Sequence, residues 1–137
     1  MSLPARHRLR RSADITATVR GGRRTGTGPV VVHVRRRSAA TPAPPDARPA
    51  ERAAPGGAVR LASVTPRAVG GAVLRNRVRR RGHAALLQVL RERDVAPADV
   101  VVRYLPGSTD ASVDDVAHAL VRALERAGAL TRDGRDG

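Results

Sequence analysis

Leu74-Arg75-Asn76-Arg77-Val78-Arg79-Arg80-Arg81-Gly82-His83-Ala84-Ala85-Leu86-Leu87-Gln88-Val89 is the stretch around which the rest of the chain organises. At 100° per residue, Leu74, Val78, Gly82, Ala85 and Val89 fall within one sector of about 80°, and Asn76, Arg77, Arg80, Arg81, Ala84 and Gln88 lie mostly opposite. The spacing predicts the longest helix of the protein, from Gly71 to about Arg93. Its apolar stripe is suited to packing on a sheet, while Arg77, Arg80 and Arg81 project together. Arginines at i, i+3 and i+4 repel one another by a few tenths of a kcal/mol per pair, and no acidic residue stands in the helix before Glu92 to relieve them.

Strand candidates flank this helix. Val30 to Arg36 and Ala58 to Thr65 precede it. Asp99 to Leu105 follows, a buried strand through Val100, Val101 and Val102 that Pro106 and Gly107 close. Between the first two strands, Ser38 to Gly57 carries five of the ten prolines and has no period of two or 3.6. It reads as a flexible loop bridging a hairpin inside one domain.

Near the N-terminus, Ser12 reads as an N-cap with Asp14 in the first turn. Ile15 and Val19 then make a short amphipathic helix to about Arg20, ended by Gly21 and Gly22. Ser112 and Asp115 form a capping box for a last helix. Val113, Val116, Ala117, Leu120, Val121 and Leu124 recur along it at helical spacing until Gly128. The order helix, strands, helix, strand, helix gives an α+β sandwich. One domain is expected over residues 1–130, with a disordered tail at 131–137.

Composition narrows the function. The 137 residues carry 26 basic side chains, all of them Arg, against 12 acidic ones, a formal charge of +14. Residues 1–37 hold ten Arg against Asp14 alone, residues 58–93 hold nine against Glu92, and from Asp94 onward the balance is negative. Guanidinium groups stay charged and fork onto phosphate oxygens in pairs. A charge run on a helix is ordinarily a solvated face, but such a face mixes signs and this one does not. Phosphates that neutralise it on binding, with release of counterions, explain the pattern, and Asn76 can both donate to and accept from a nucleotide.

Other chemistries find no support. The chain lacks Cys, Phe and Trp, which excludes disulfides, Cys-ligated zinc and thiol nucleophiles. His7, His33, His83 and His118 have no metal-ligand spacing. Gly26-Thr27-Gly28 lacks the pattern and the Lys of a phosphate loop. Asp114 and Asp115 read as first-turn residues favoured by the helix dipole. No Ser, His and Asp grouping suggests an acyl-transfer triad. Neither a long apolar run nor a signal-peptide stretch is present, so a cytoplasmic protein without a membrane partner is expected.

The block from Arg67-Ala68-Val69-Gly70 through Arg75-Asn76-Arg77 to Arg81 resembles the signature of the bacterial ribonuclease P protein component. Leu3-Pro4-Ala5-Arg6-His7-Arg8-Leu9-Arg10 with Ser12-Ala13-Asp14 is similar to that family's N-terminus. Val101-Val102-Arg103-Tyr104-Leu105-Pro106-Gly107 is similar to its penultimate strand and turn.

The resemblance implies a two-layer α/β sandwich with a mixed four-stranded sheet and three helices in the order αβββαβα, like domain 2 of ribosomal protein S5, with a left-handed crossover. It implies the protein subunit of an endoribonuclease that removes the 5′ leader of precursor tRNA. The partners are then the ribonuclease P RNA subunit and precursor tRNA, with no obligate protein partner. Catalysis and most of the magnesium would belong to the RNA. The polypeptide would supply no catalytic residue and hold no metal or cofactor of its own.

By position, Arg75, Asn76, Arg77, Arg79, Arg80 and Arg81, together with Arg8, Arg10 and Arg11, would bind RNA. Ile15, Val19, His33 and Arg67 would lie at the leader cleft. Ile15 stands where the family usually has Phe, which removes a stacking platform worth about 1–3 kcal/mol per base. Gly82 stands where it tends to have Leu, and a loosened helix is expected there. The alternative is a general structured-RNA or ribosome-associated binding protein with no part in cleavage.

Overall fold

A computed structural model describes residues 3–28, 30–37 and 59–130 of the chain. The Pro-rich segment expected to be a flexible loop and the tail at 131–137 lie outside the described residues.

Helix α1 spans Ser12–Gly21. Strands β1 (Arg23–Thr27) and β2 (Val30–Arg36) follow, then β3 (Arg60–Val64). Helix α2 covers Ala72–Glu92, strand β4 Ala98–Tyr104 and helix α3 Val113–Arg126. Short 3-10 turns stand at Ala5–His7, Arg67–Val69 and Ser108–Asp110. The order is αβββαβα, as the resemblance implied.

The four strands pair in the order β1-β2-β4-β3. β1 and β2 are antiparallel, as are β2 and β4, whereas β3 runs parallel to β4. The hairpin expected between β2 and β3 does not form, because β4 lies between them. The reason is burial on both faces. Val100, Val101 and Val102 are at most 1% exposed, and a strand apolar on both sides belongs in the middle of a sheet covered on both faces. The actual hairpin joins β1 to β2, with Thr27 opposite Val30 and Gly28 in the left-handed region at φ +58°.

Period-two alternation then sorts the side chains. Val30, Val32, Val34, Leu61, Val100, Val102 and Tyr104 face α2 and α3 and meet Val78, Ala85, Leu86, Val89, Leu120 and Leu124 in the main core. Burial of such side chains is worth about 1.5–3 kcal/mol each. Sheet, α2 and α3 make the two-layer sandwich. The opposite face is covered by α1, where Ile15 packs on a small cluster of Leu9, Ala62 and Val101.

Helix ends follow their sequence cues with one exception. Ser112 accepts from the Asp115 backbone N–H at 3.1 Å while Asp115 accepts from the Ser112 N–H at 3.0 Å, completing the capping box. Ser12 is not the N-cap of α1. The helix begins one residue earlier than expected, with Arg11 in extended conformation at the cap position and no side-chain cap bond.

Candidate nucleic-acid interface

Helix α2 buries Val78, Gly82, Ala85, Leu86 and Val89, so its remaining arc is left for other contacts. Asn76, Arg77, Arg79 and Arg80 are exposed along it, and Arg75 is half-buried. Arg81 is turned elsewhere. Its guanidinium donates to the carbonyl oxygens of Thr109 and Ala111, 3.0 Å away in the second case. The expectation that it projects beside Arg77 and Arg80 is therefore corrected: the turn at Ser108–Asp110 leaves carbonyls that need a donor, and Arg81 reaches them. Leu74 also departs from the predicted stripe. It is 38% exposed, and its neighbour Val73 is 71% exposed.

The N-terminal arm runs beside β3. Leu9 N–H donates to the Leu61 carbonyl at 2.9 Å, Arg8 forms a parallel bridge with Leu61, and His7 Nδ1 donates to the Val59 carbonyl at 2.8 Å. Arg8 is exposed, and its Nε donates to the Leu3 carbonyl at 2.7 Å. The arm brings positive charge toward α2. Burial, then Arg79 and then Arg8, push the pKa of His83 below its ordinary value, so this imidazole is neutral at pH 7. Arg10 is exposed and Arg11 half-buried where the arm leads into α1.

A cleft opens between α1 and the sheet, lined by Val19, His33, Val64, Pro66, Val101 and Arg103. Two of the four residues expected there line it. Ile15 instead lies beneath α1 in the small cluster, and Arg67 is exposed in the 3-10 turn next to Pro66. His33 is 7% exposed, and its Nδ1 has no hydrogen-bond partner. Burial first, then Arg24 and Arg103, lower its pKa. The cleft thus has an apolar floor, a neutral imidazole and a cationic rim. Arg103 could have been found from the sequence, since an Arg between the buried Val102 and Tyr104 must point to the other face of the sheet.

Among the described residues no three His, Asp or Glu side chains converge to hold a metal ion. No helix among the described residues is long and apolar enough to cross a membrane.

A sandwich that exposes Asn76 and three arginines on one helix, and that opens an apolar cleft with Arg103 at its rim under another, defines a small protein of the polyanion-binding class. The chain belongs to the ribonuclease P family, whose model, Ribonuclease P, matches residues 3–128. It is 41% identical over 127 residues to the ribonuclease P protein component of Streptomyces avermitilis, covering 90% of this chain and 94% of that one. It is 42% identical over 125 residues to the component from Mycobacterium avium, covering 90% and 93%. The fold matches the RNase P protein of Staphylococcus aureus with a TM-score of 0.65 at 17% identity, over 91% of this chain and 98% of that one. The Thermotoga maritima protein matches with a TM-score of 0.62 at 20% identity, over 87% and 96%.

Proposed function

We propose that the chain, folded as one domain over residues 1–130, is the protein subunit of cytoplasmic ribonuclease P, an endoribonuclease that removes the 5′ leader of precursor tRNA. The observation that carries this reading is the exposed Asn76, Arg77, Arg79 and Arg80 of α2, set in a chain whose family membership is shown over residues 3–128. In this reading α2 and the arm from Arg8 to Arg11 meet the RNA subunit. Arg75 contributes from a half-buried position, and Arg81 braces the turn beneath.

The leader lies in the cleft, with Val19 and His33 on its walls, Arg103 at its rim and Arg67 at its approach. Catalysis and magnesium reside in the RNA. The polypeptide binds, orients and screens phosphate repulsion between the two RNAs. Reconstitution with the cognate ribonuclease P RNA at low magnesium tests this. Faster cleavage of precursor tRNA than by the RNA alone is expected, and no gain would overturn the reading.

A further inference from the structure

The cleft has a wall that moves only if α1 moves, and a charge cluster ties α1 to the sheet. Asp99 on β4 is fully buried. Arg60 on β3 grips it in a fork, Nε to Oδ1 at 2.8 Å and Nη2 to Oδ2 at 2.9 Å. Arg35 reaches Oδ2 at 3.1 Å and Arg37 reaches Oδ1 at 2.9 Å. A buried carboxylate held by a two-pronged guanidinium is a rigid anchor. The same Arg60 Nη2 lies 3.7 Å from Oδ2 of Asp14 in the first turn of α1. One guanidinium thus joins the central strand to the helix that carries Val19 over the cleft.

We propose that Asp14 and Arg60 are positioning residues for the leader cleft. Their pairing, anchored on Asp99, sets the seat of α1 and hence the gap between Val19 and the His33–Arg103 side. Three features support this. Arg60 and its anchor Asp99 stand on β3 and β4, the strands that also supply Val64, Val101 and Arg103 to the cleft. Apolar anchoring of α1 is slight, since Ile15 is only half-buried and Val19 is 42% exposed. At the far end, Gly22 packs on the Val34 carbonyl so closely that a Cβ there would overlap it. With that end fixed, the pair at Asp14 controls the tilt of the other.

This inference rests on the cleft being the leader site. Its test uses the full chain assembled with the RNA subunit and two precursor tRNAs, one with a leader of several nucleotides and one with a single-nucleotide leader. Asp14→Ala should raise KM for the long leader about two- to five-fold, the effect of losing a partly exposed ion pair. It should leave kcat, the short-leader KM and affinity for the RNA subunit unchanged. Asp14→Glu, whose longer side chain still reaches Arg60, should restore the long-leader KM. Arg60→Met should reproduce the effect, with Arg35 and Arg37 still neutralising Asp99. Equal changes with both leaders, or none while the wild type discriminates between them, would overturn the positioning role. A wild type blind to leader length would overturn the leader-site reading itself and this inference with it.

Discussion

The hydroxyl of Tyr104 occupies the space in which a Cβ on Gly82 would stand. Tyr104 is fully buried at the end of β4, and Gly82 is buried in the middle of α2. The glycine therefore leaves no hole, because the sheet fills from below the place that a larger helix residue would take. The expected loosening of α2 at this point is not found: the helix runs unbroken from Ala72 to Glu92. Burial pushes the Tyr104 hydroxyl up to about 12, with Ser63 beside it pulling the other way, so Tyr104 stays neutral throughout the working range.

The two positions should behave as one unit. Ala is normally the better helix residue by about 1 kcal/mol, yet Gly82→Ala forces its methyl into the Tyr104 hydroxyl. Overpacking of this kind costs about 1–3 kcal/mol. In a Tyr104→Phe background the obstruction is gone and the same substitution should be neutral or stabilising. Urea unfolding of the four proteins gives the coupling directly; additive effects would show that the residues do not share that space.

Arg81 separates binding from bracing within one basic run. Arg77→Ala with Arg80→Ala should weaken the RNA complex and reduce the slope of log K against log salt by up to about 2. Arg81→Ala should leave that slope in place. It should instead cost about 1–3 kcal/mol of stability, because the carbonyls of Thr109 and Ala111 lose their donor. Binding titrations at several salt concentrations, paired with thermal unfolding, distinguish the two outcomes.

What the sequence revealed and what it hid follow from the range of the forces involved. The α2 stripe through Val78, Ala85 and Val89 and the Ser112–Asp115 box are set by residues within about three turns of one helix, so spacing alone locates them. β1 carries no local strand signal, because Arg23-Arg24-Thr25-Gly26-Thr27 contains no apolar side chain. It is a strand through its pairing with β2 and the burial of Thr25. The place of β4 between β2 and β3, the three arginines on Asp99 and the turn of Arg81 toward Thr109 all join residues about 30 or more apart. No local pattern records such partners. Arg103 was open to inference from strand alternation, whereas the displacement of Ile15 from the cleft depended on the seat of α1.

The two serine positions at helix starts predict opposite results. Ser112→Ala removes an observed acceptor for the Asp115 N–H and should cost about 1 kcal/mol. Ser12→Ala removes no cap bond from α1 and should fall within about 0.5 kcal/mol of wild type. Denaturant midpoints would show the difference, and equal losses would mean that Ser12 caps α1 after all.

Two histidines give the fold an acid-side sensitivity that is separate from its carboxylates. His33 is held below its ordinary pKa by burial and by Arg24 and Arg103, and His83 by burial and by Arg79 and Arg8. Above about pH 6.5 the imidazoles are neutral in folded and unfolded chains alike, so their contribution is constant. As pH falls through 6.5, the unfolded chain takes up protons that the folded chain refuses. Stability then drops until the folded pKa values are reached, at no more than about 1.4 kcal/mol per pH unit for each histidine. His33→Asn with His83→Asn should make the profile between pH 7 and 5 shallower, and each single variant should remove part of the slope. Urea unfolding at half-unit pH steps measures it, and a double variant as steep as wild type would place the sensitivity elsewhere.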